Sequence, residues 1–309
     1  IPCMRGRFTI LGTSSAIPTK ERNHPAVYFQ WGGEAFLFDC GEGTQRQIQI
    51  AELSFYKIDK IFVTHLHGDH VLGLPGLLQT LDFHDKDYVE IYGTPGIGEL
   101  VELSTTRCFY INTEDLKVAV REIPPTEEVY TVLETDTYRV LSIGLNHTVD
   151  CIGYAFEERE KFKYDRQKVK RLGLKAHHFK ELEERGYTTL DGKRIEKHQL
   201  GEFKRGFKFV YITDTYYTEN IFKLAEGADY LILECTYFDE DEYAEAVKHL
   251  SFNIFRTRIY PKLLELGVKN VILTHFSRRY KDLLKFEEAI REHKMENVYL
   301  ARDLMGFEF

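Results

Sequence analysis

Cysteine is scarce and unpaired in this chain. Its five cysteines, Cys3, Cys40, Cys108, Cys151 and Cys235, are odd in number and form no Cys-x-x-Cys pair. That argues against a disulfide scaffold and fits a reduced, cytoplasmic setting. Cys40, Cys151 and Cys235 each lie in or beside an apolar run, where cysteine acts as a small buried hydrophobe. No apolar run approaches the roughly 20 residues of a membrane span, so no membrane partner is expected. The stretch Ile1 to Arg7 lacks the hydrophobic segment of a signal peptide, and Met4 is a candidate natural start. Positive charge is also short: a net charge of −8 and an isoelectric point near 5.9 argue against a protein that coats itself in nucleic acid. Repeats and low-complexity linkers are missing too. What remains is 309 residues with 43% hydrophobic content, enough for one large core or two modest ones.

Against that background one stretch stands out: His65-Leu66-His67-Gly68-Asp69-His70, directly after Lys60-Ile61-Phe62-Val63-Thr64. Ile61 to Val63 reads as a short buried strand that ends where the polar residues begin. In extended backbone His65 and His67 point to the same side and can share one metal ion. Gly68 lets the chain turn, and Asp69 and His70 open a new element facing the same hole. Imidazole and carboxylate without thiol suit zinc or a similar borderline divalent ion. A lone histidine is more often a core residue; four such groups in six positions read as a metal site.

Six residues cannot complete such a site. Three further apolar runs each end on a single ligand: Val140 to Leu145 before His147, Phe207 to Thr213 before Asp214, and Lys269 to Thr274 before His275. Alone, each would be a turn residue. Repeated, the pattern has strands delivering ligands to a common edge.

The remaining pattern alternates short strands and helices. Arg7 to Leu11, Ala26 to Trp31, Ala35 to Asp39 and Tyr88 to Tyr92 read as early strands. Lys117 to Glu122, Tyr130 to Leu133 and Tyr138 to Leu145 read as strands of a second sheet, with Tyr230 to Leu233 and Val271 to Thr274 later. Helices are expected at Gly43 to Ile50, Pro75 to Asp82, Pro95 to Thr106, Asn220 to Ala225, Asp239 to His249 and Phe252 to Leu266. Strands followed by helices in both halves suit two sheets with outer helices.

Charge is not evenly spread. From Arg159 to Lys208 basic residues outnumber acids, and Arg166-Gln167-Lys168-Val169-Lys170-Arg171 is dense and lacks acidic partners. A charge run is usually a solvated face. Here Lys168, Lys170 and Arg171 are candidates for contacting the phosphates of a polyanion by shape and charge.

The ligand series His-x-His-x-Asp-His with separated His, Asp and His resembles the metallo-β-lactamase superfamily. The resemblance runs the length of the chain and narrows to the ribonuclease Z family, short-form transfer-RNA 3′-processing endonucleases. Leu11 to Pro18, Pro18-Thr19-Lys20-Glu21-Arg22-Asn23, Phe38-Asp39-Cys40-Gly41-Glu42-Gly43-Thr44-Gln45-Arg46-Gln47, Gly73 to Leu78 and Ser277-Arg278-Arg279-Tyr280 carry it. It implies a single domain over 1–309 with the four-layer αββα metallo-β-lactamase sandwich, and an inserted basic, substrate-gripping arm at about 155–206. It also implies two zinc ions per chain, with manganese a possible substitute. One would be held by His65, His67 and His147, the other by Asp69, His70 and His275, with Asp214 bridging. Asp69 would accept a proton from the attacking water, and Glu234 would orient His249 to protonate the leaving oxygen. Lys20 and Arg22 would read the 3′ end, and Arg46 and Arg279 would meet backbone phosphates. The implied partners are precursor transfer RNA and a second copy of the chain.

Two positions depart from the family. His249-Leu250-Ser251 stands where His-Ser-Thr is usual, and Gly173-Leu174-Lys175 lacks the arm's Gly-Pro motif. Two other readings stay open. A hydrolase of the same fold could act on a small phosphodiester, thioester or lactam, because fold does not fix function. A non-catalytic RNA-binding protein on this fold would be marked by lost ligands, and all seven positions are filled.

Overall fold

The computed structural model describes residues 6–107 and 115–309; Cys3, Met4 and Cys108 fall outside them. The chain divides into two compact units. One comprises the described residues up to Glu134 together with Val140–Phe156 and Lys208–Phe309; the other comprises Thr135–Arg139 and Glu157–Phe207.

Among the described residues the first unit is organised around two seven-stranded sheets. The spatial order in one is Gly306–Glu308, Gly6–Gly12, Ala26–Trp31, Glu34–Phe38, Ile58–Phe62, Tyr88–Gly93 and Lys117–Glu122. In the other it is Val298–Leu300, Val271–Thr274, Tyr230–Glu234, Lys208–Ile212, Ile152–Glu158, Tyr138–Gly144 and Tyr130–Glu134. The sheets meet through aromatic rings: Phe29 lies 4.8 Å from Phe156 and 4.9 Å from Phe209, and Phe38 lies 5.3 Å from Phe209 and 5.7 Å from Tyr211. Each fully buried ring contributes roughly 1.5–3 kcal/mol by leaving water, and tilted pairing adds to that.

The outer faces are covered by helices. Leu37, Ile61, Val63 and Ile91 pack with Ile48, Leu78, Leu81, Ile97 and Val101, from Thr44–Ile50, Leu74–Phe83 and Ile97–Thr106. Val210, Ile212, Leu233 and Leu273 pack with Ile221, Leu224, Phe252, Leu263 and Phe286 on the other side. The result is the helix–sheet–sheet–helix sandwich expected from the alternation of elements.

Three elements differ from the sequence expectation. Lys117–Glu122 belongs to the first sheet, not the second: the helix Ile97–Thr106 is a crossover that returns it parallel to Tyr88–Gly93, Tyr88 opposite Lys117. The helix expected from Asp239 to His249 covers only Asp241–Ala246, and Lys248 then turns left-handed at φ 61°. The helix from Phe252 widens into a π-helical turn over Phe255–Ile259 just before Pro261, whose ring cannot supply an N–H to a regular turn. Ile152–Glu158 is a further strand, buried along most of its length, with no separate signal in the sequence.

In the second unit Leu182 and Leu200 are buried, Tyr164 lies against Phe179 at 5.1 Å, and Phe162 lies 5.3 Å from the exposed ring of Phe203. Lys161–Tyr164 pairs with Gly201–Lys204, and Tyr187–Leu190 with Lys193–Glu196. Asp191 and Gly192, at φ 50° and 76°, form the Asp-Gly turn that a tight hairpin requires.

Candidate metal centre

The parallel strands of both sheets end at one edge, the usual place for a site in sheets of this kind. His65 follows Ile58–Phe62, Asp214 follows Lys208–Ile212, Glu234 closes Tyr230–Glu234, and His275 follows Val271–Thr274. Asp39, Asp214 and His275 take left-handed backbone at φ 57°, 43° and 62°. For residues with a Cβ that costs on the order of 1–2 kcal/mol each, and it turns these side chains off the ends of their strands. The Cys40–Gly43 turn packs directly on the histidine-rich segment. Cys40 N–H donates to His70 O at 2.8 Å, and a Cβ on Gly41 would lie 2.3 Å from Asp69 O, so glycine is required there.

His65, His67, His147 and Asp214 bring their ligand atoms within 4.8 Å of one another, as do Asp69, His70 and His275. Asp214 faces both groups. Its Oδ2 is 3.5 Å from His65 Nε2 and 3.7 Å from His147 Nε2, while Oδ1 is 3.2 Å from His70 Nε2 and 3.0 Å from His275 Nε2.

The other nitrogen of four rings decides what these atoms do. His70 Nδ1 lies 2.7 Å from Asp39 Oδ2, which fixes its proton there. Thr64 gives its hydroxyl hydrogen to Asp39 and so accepts from His65 Nδ1–H at 3.0 Å. Thr236 donates to Glu234 at 2.7 Å and accepts from His275 Nδ1–H at 3.0 Å. His147 Nδ1–H donates to Lys248 O at 3.1 Å. Each of these rings therefore turns its Nε2 inward, where a cation can take the place of a proton, with His67 Nδ1 3.1 Å and 3.2 Å from the Nε2 atoms of His65 and His147. Buried His70 Nε2 and His275 Nε2 have no hydrogen-bond partner. Their short approaches to Asp214 are misaligned for hydrogen bonding, as expected of lone pairs aimed at a common cation. The donor set fits divalent metal ions, with outer partners already in place.

Electrostatics agree. Burial lowers the basicity of His65, and lowers His147 to about 4. His70 is also buried, yet Asp214, Asp39 and Asp69 together hold it well above an ordinary imidazole. The surplus of negative charge is what a bound cation would offset.

Beside the ligands, His249 Nδ1 lies 2.8 Å from Glu234 Oε1. Glu234 is fully buried and also accepts from Thr215 N–H at 2.7 Å and Leu250 N–H at 3.1 Å. Burial alone would raise its carboxyl; His249 more than compensates and lowers it. For His249, burial is likewise opposed by the Glu234 charge and hydrogen bond, which push it up to about 9. An imidazolium beside the site can give up a proton.

The remaining sequence candidates divide. Lys20, Arg46, Lys168, Lys170 and Arg171 are exposed. Arg279 is exposed and pairs with Glu240 at 3.0 Å. Arg22 is buried, 7% exposed, and donates to Ser277 O at 3.2 Å and Tyr280 O at 2.8 Å, a placement that holds two loops together. The sequence reading gave no role to Asp39, Thr64, Thr236 or the Lys248 carbonyl. Asp39 had a signal, a carboxylate at a strand end before Cys-Gly-Glu-Gly; a backbone carbonyl has none.

Residues 6–151 match a family model described as Anti-Pycsar protein Apyc1, a span that stops short of Asp214, Glu234, His249 and His275. A ribonuclease Z from Methanothermobacter thermautotrophicus is 41% identical over 305 residues, covering 97% of this chain and 95% of that protein. The chain belongs to the ribonuclease Z family. Human tRNase Z, short form, has 27% identity and a TM-score of 0.67, with 97% of this chain and 98% of that one covered. The metallo-β-lactamase fold protein YhfI from Bacillus subtilis, at 17% identity, shares the fold, with a TM-score of 0.65 over 98% of this chain and 99% of that one. Ribonuclease Z similarity, unlike the 6–151 match, extends through the second unit and all seven metal-ligand candidates.

Proposed function

We propose that this member of the ribonuclease Z family is a metal-dependent endoribonuclease that removes the 3′ trailer from precursor transfer RNA. It leaves a 3′-hydroxyl on the transfer RNA and a 5′-phosphate on the trailer. The observation that carries the reading is 41% identity to a ribonuclease Z over 97% of the chain, beyond the ligands that any hydrolase of this fold would share.

His65, His67 and His147 would hold one ion, Asp69, His70 and His275 a second, and Asp214 would serve both; zinc is the expected metal, with manganese a substitute. Bound there, such ions supply Lewis acidity to the attacking water and charge balance to the phosphate. Asp69 takes the proton of that water. Ala16 N–H, 2.9 Å from Asp69 Oδ2, fixes the carboxylate for the task. The bond from phosphorus to the 3′ oxygen breaks as His249, charged and oriented by Glu234, protonates that oxygen. The second unit grips the RNA body, and the protein works in the cytoplasm as a homodimer. Buried, free Cys40, Cys151 and Cys235 suit a reducing compartment.

The test is direct. Precursor transfer RNA labelled at its 5′ end is incubated with the protein, with added zinc or manganese or with chelator. A single metal-dependent cut beside the discriminator base is expected. Turnover of a small chromogenic phosphodiester without any cut in the RNA would move the protein to the small-substrate reading.

The helix Arg166–Leu172 gives a second check. Asp165 caps it by accepting from Gln167 N–H and Lys168 N–H at 2.9 and 3.1 Å; the helix buries no side chain, and its basic residues are exposed, with Lys168 Nζ donating to Gln199 O at 3.2 Å. Changing Lys168, Lys170 and Arg171 together to Glu is expected to raise KM for precursor transfer RNA at least about tenfold and flatten the salt dependence by about three phosphate contacts. A small phosphodiester should be cleaved as before. Equal loss on both substrates would sink the phosphate-contact role.

A further inference from the structure

The loop from Thr13 to Asn23 begins beside the metal centre and returns to its own base. At the near end, Ala16, left-handed at φ 47°, places its N–H on Asp69 Oδ2, and Ser15 N–H donates to Phe276 O at 3.1 Å. At the far end, Thr13 N–H and Ser14 N–H both donate to Asn23 O, at 3.1 and 2.9 Å. The two limbs run so close that a Cβ on Gly12 would lie 1.7 Å from His24 O. Between them the loop carries exposed Lys20.

The returning limb is not packed on every side. A cavity of about 440 Å³ opens beside it, lined by Thr13, Arg22, Leu283, Leu284, Ala301 and Asp303. The limb is tied by polar groups, and they converge on one side chain from the last ten residues of the chain. Asp303 Oδ1 accepts from Thr13 Oγ1 at 2.7 Å, and Oδ2 accepts from Asn23 N–H at 2.7 Å and Gln47 Nε2 at 3.2 Å. Arg22 stands close enough to interact with its charge while clamping the carbonyls of Ser277 and Tyr280.

We infer that Asp303 is a positioning residue: it staples the two limbs of the Thr13–Asn23 loop, and so sets where Lys20 meets the RNA at the cleavage site. This rests on the endoribonuclease reading above. Asp303 touches no metal ligand and takes no part in bond breaking. Its effect should fall on recognition of the large substrate, not on the chemical step. Burial pushes its carboxyl up to about 6 against its hydrogen bonds and the Arg22 charge, which marks a carboxylate already withdrawn from water and dependent on these partners.

The experiment compares Asp303→Asn and Asp303→Ala with the unaltered protein, each loaded with zinc. Asn keeps the shape but presents an amide N–H₂ to at least one donor; Ala removes the staple. Three quantities are read: KM and kcat for precursor transfer RNA, turnover of a small phosphodiester, and hydrogen–deuterium exchange of peptides covering residues 18–24. The expected result is a KM raised about tenfold, the scale of losing hydrogen bonds to a charged acceptor, with kcat and small-substrate turnover within about twofold of the original. Exchange at Asn23 should rise in the same variants. An unchanged KM overturns the proposal whether or not the loop loosens. So does an equal loss on both substrates with a lowered melting temperature in Asp303→Asn, which would make Asp303 part of general stability. If the unaltered protein fails to cut the RNA at all, the endoribonuclease reading fails instead, and loosened exchange alone then decides whether Asp303 is the staple.

Discussion

Asp214→Ala is expected to end catalysis. One oxygen of this carboxylate faces His65 and His147 and the other faces His70 and His275, so its loss opens both ligand groups at once. Metal-assisted charge stabilisation is worth several kcal/mol, which at about 1.4 kcal/mol per decade puts the loss in kcat/KM at about a thousandfold or more. Metal content after gel filtration should fall together with activity. Asp214→Asn keeps one neutral oxygen ligand and should retain more metal than the alanine variant while remaining severely impaired. Full metal content with ordinary RNA cleavage in Asp214→Ala would remove Asp214 from the centre. A melting curve separates this outcome from unfolding.

His249→Ala should show the second large effect, and its pattern matters as much as its size. General acid catalysis contributes about 10²–10⁴-fold, so RNA cleavage should fall by that much. A nitrophenyl phosphodiester expels an anion that needs no proton, and its turnover should be nearly preserved. Glu234→Gln, which removes the charge holding His249 near 9, should fall between the two on RNA. The comparison is discriminating because His249 also lies within 4.8 Å of a possible ligand set with Asp214 and His275. If His249 served mainly as a ligand, both substrates would suffer alike.

Much of this was written in local sequence. His65 to His70 form one short turn at a strand end, and His147, Asp214 and His275 each close an apolar run, so strand-end periodicity exposes them. Strands made of Val, Ile, Phe and Tyr with both faces buried are equally plain, as are the helices Thr44–Ile50 and Asn220–Ala225. What sequence could not reveal is nonlocal or carried by the backbone. Lys117–Glu122 looks the same in either sheet; only its partner decides. The tautomer of His147 is set by the carbonyl of Lys248, 101 residues away, and an amide carbonyl has no signature. Arg22 sits in a polar loop that reads as solvent-facing, yet the carbonyls of Ser277 and Tyr280 draw it inward. Asp303 has no neighbouring motif, because its partners Thr13, Asn23 and Gln47 come from the opposite end of the chain.

The hydrogen bond from Tyr211 O–H to Asp39 Oδ2, buried between the sheets, joins residues 172 positions apart. Asp39 in turn orients His70, while Asp214 and His275 arrive from the second sheet. No fragment of the chain can therefore assemble the centre; it exists only after the two sheets have docked. Contacts so distant in sequence form late and slowly, and a metal ion that binds only the docked state adds RT ln(1 + [M]/Kd), about 2.7 kcal/mol at a hundredfold excess over Kd. A metal ion bound there would act as a folding ligand, drawing chains toward the finished topology.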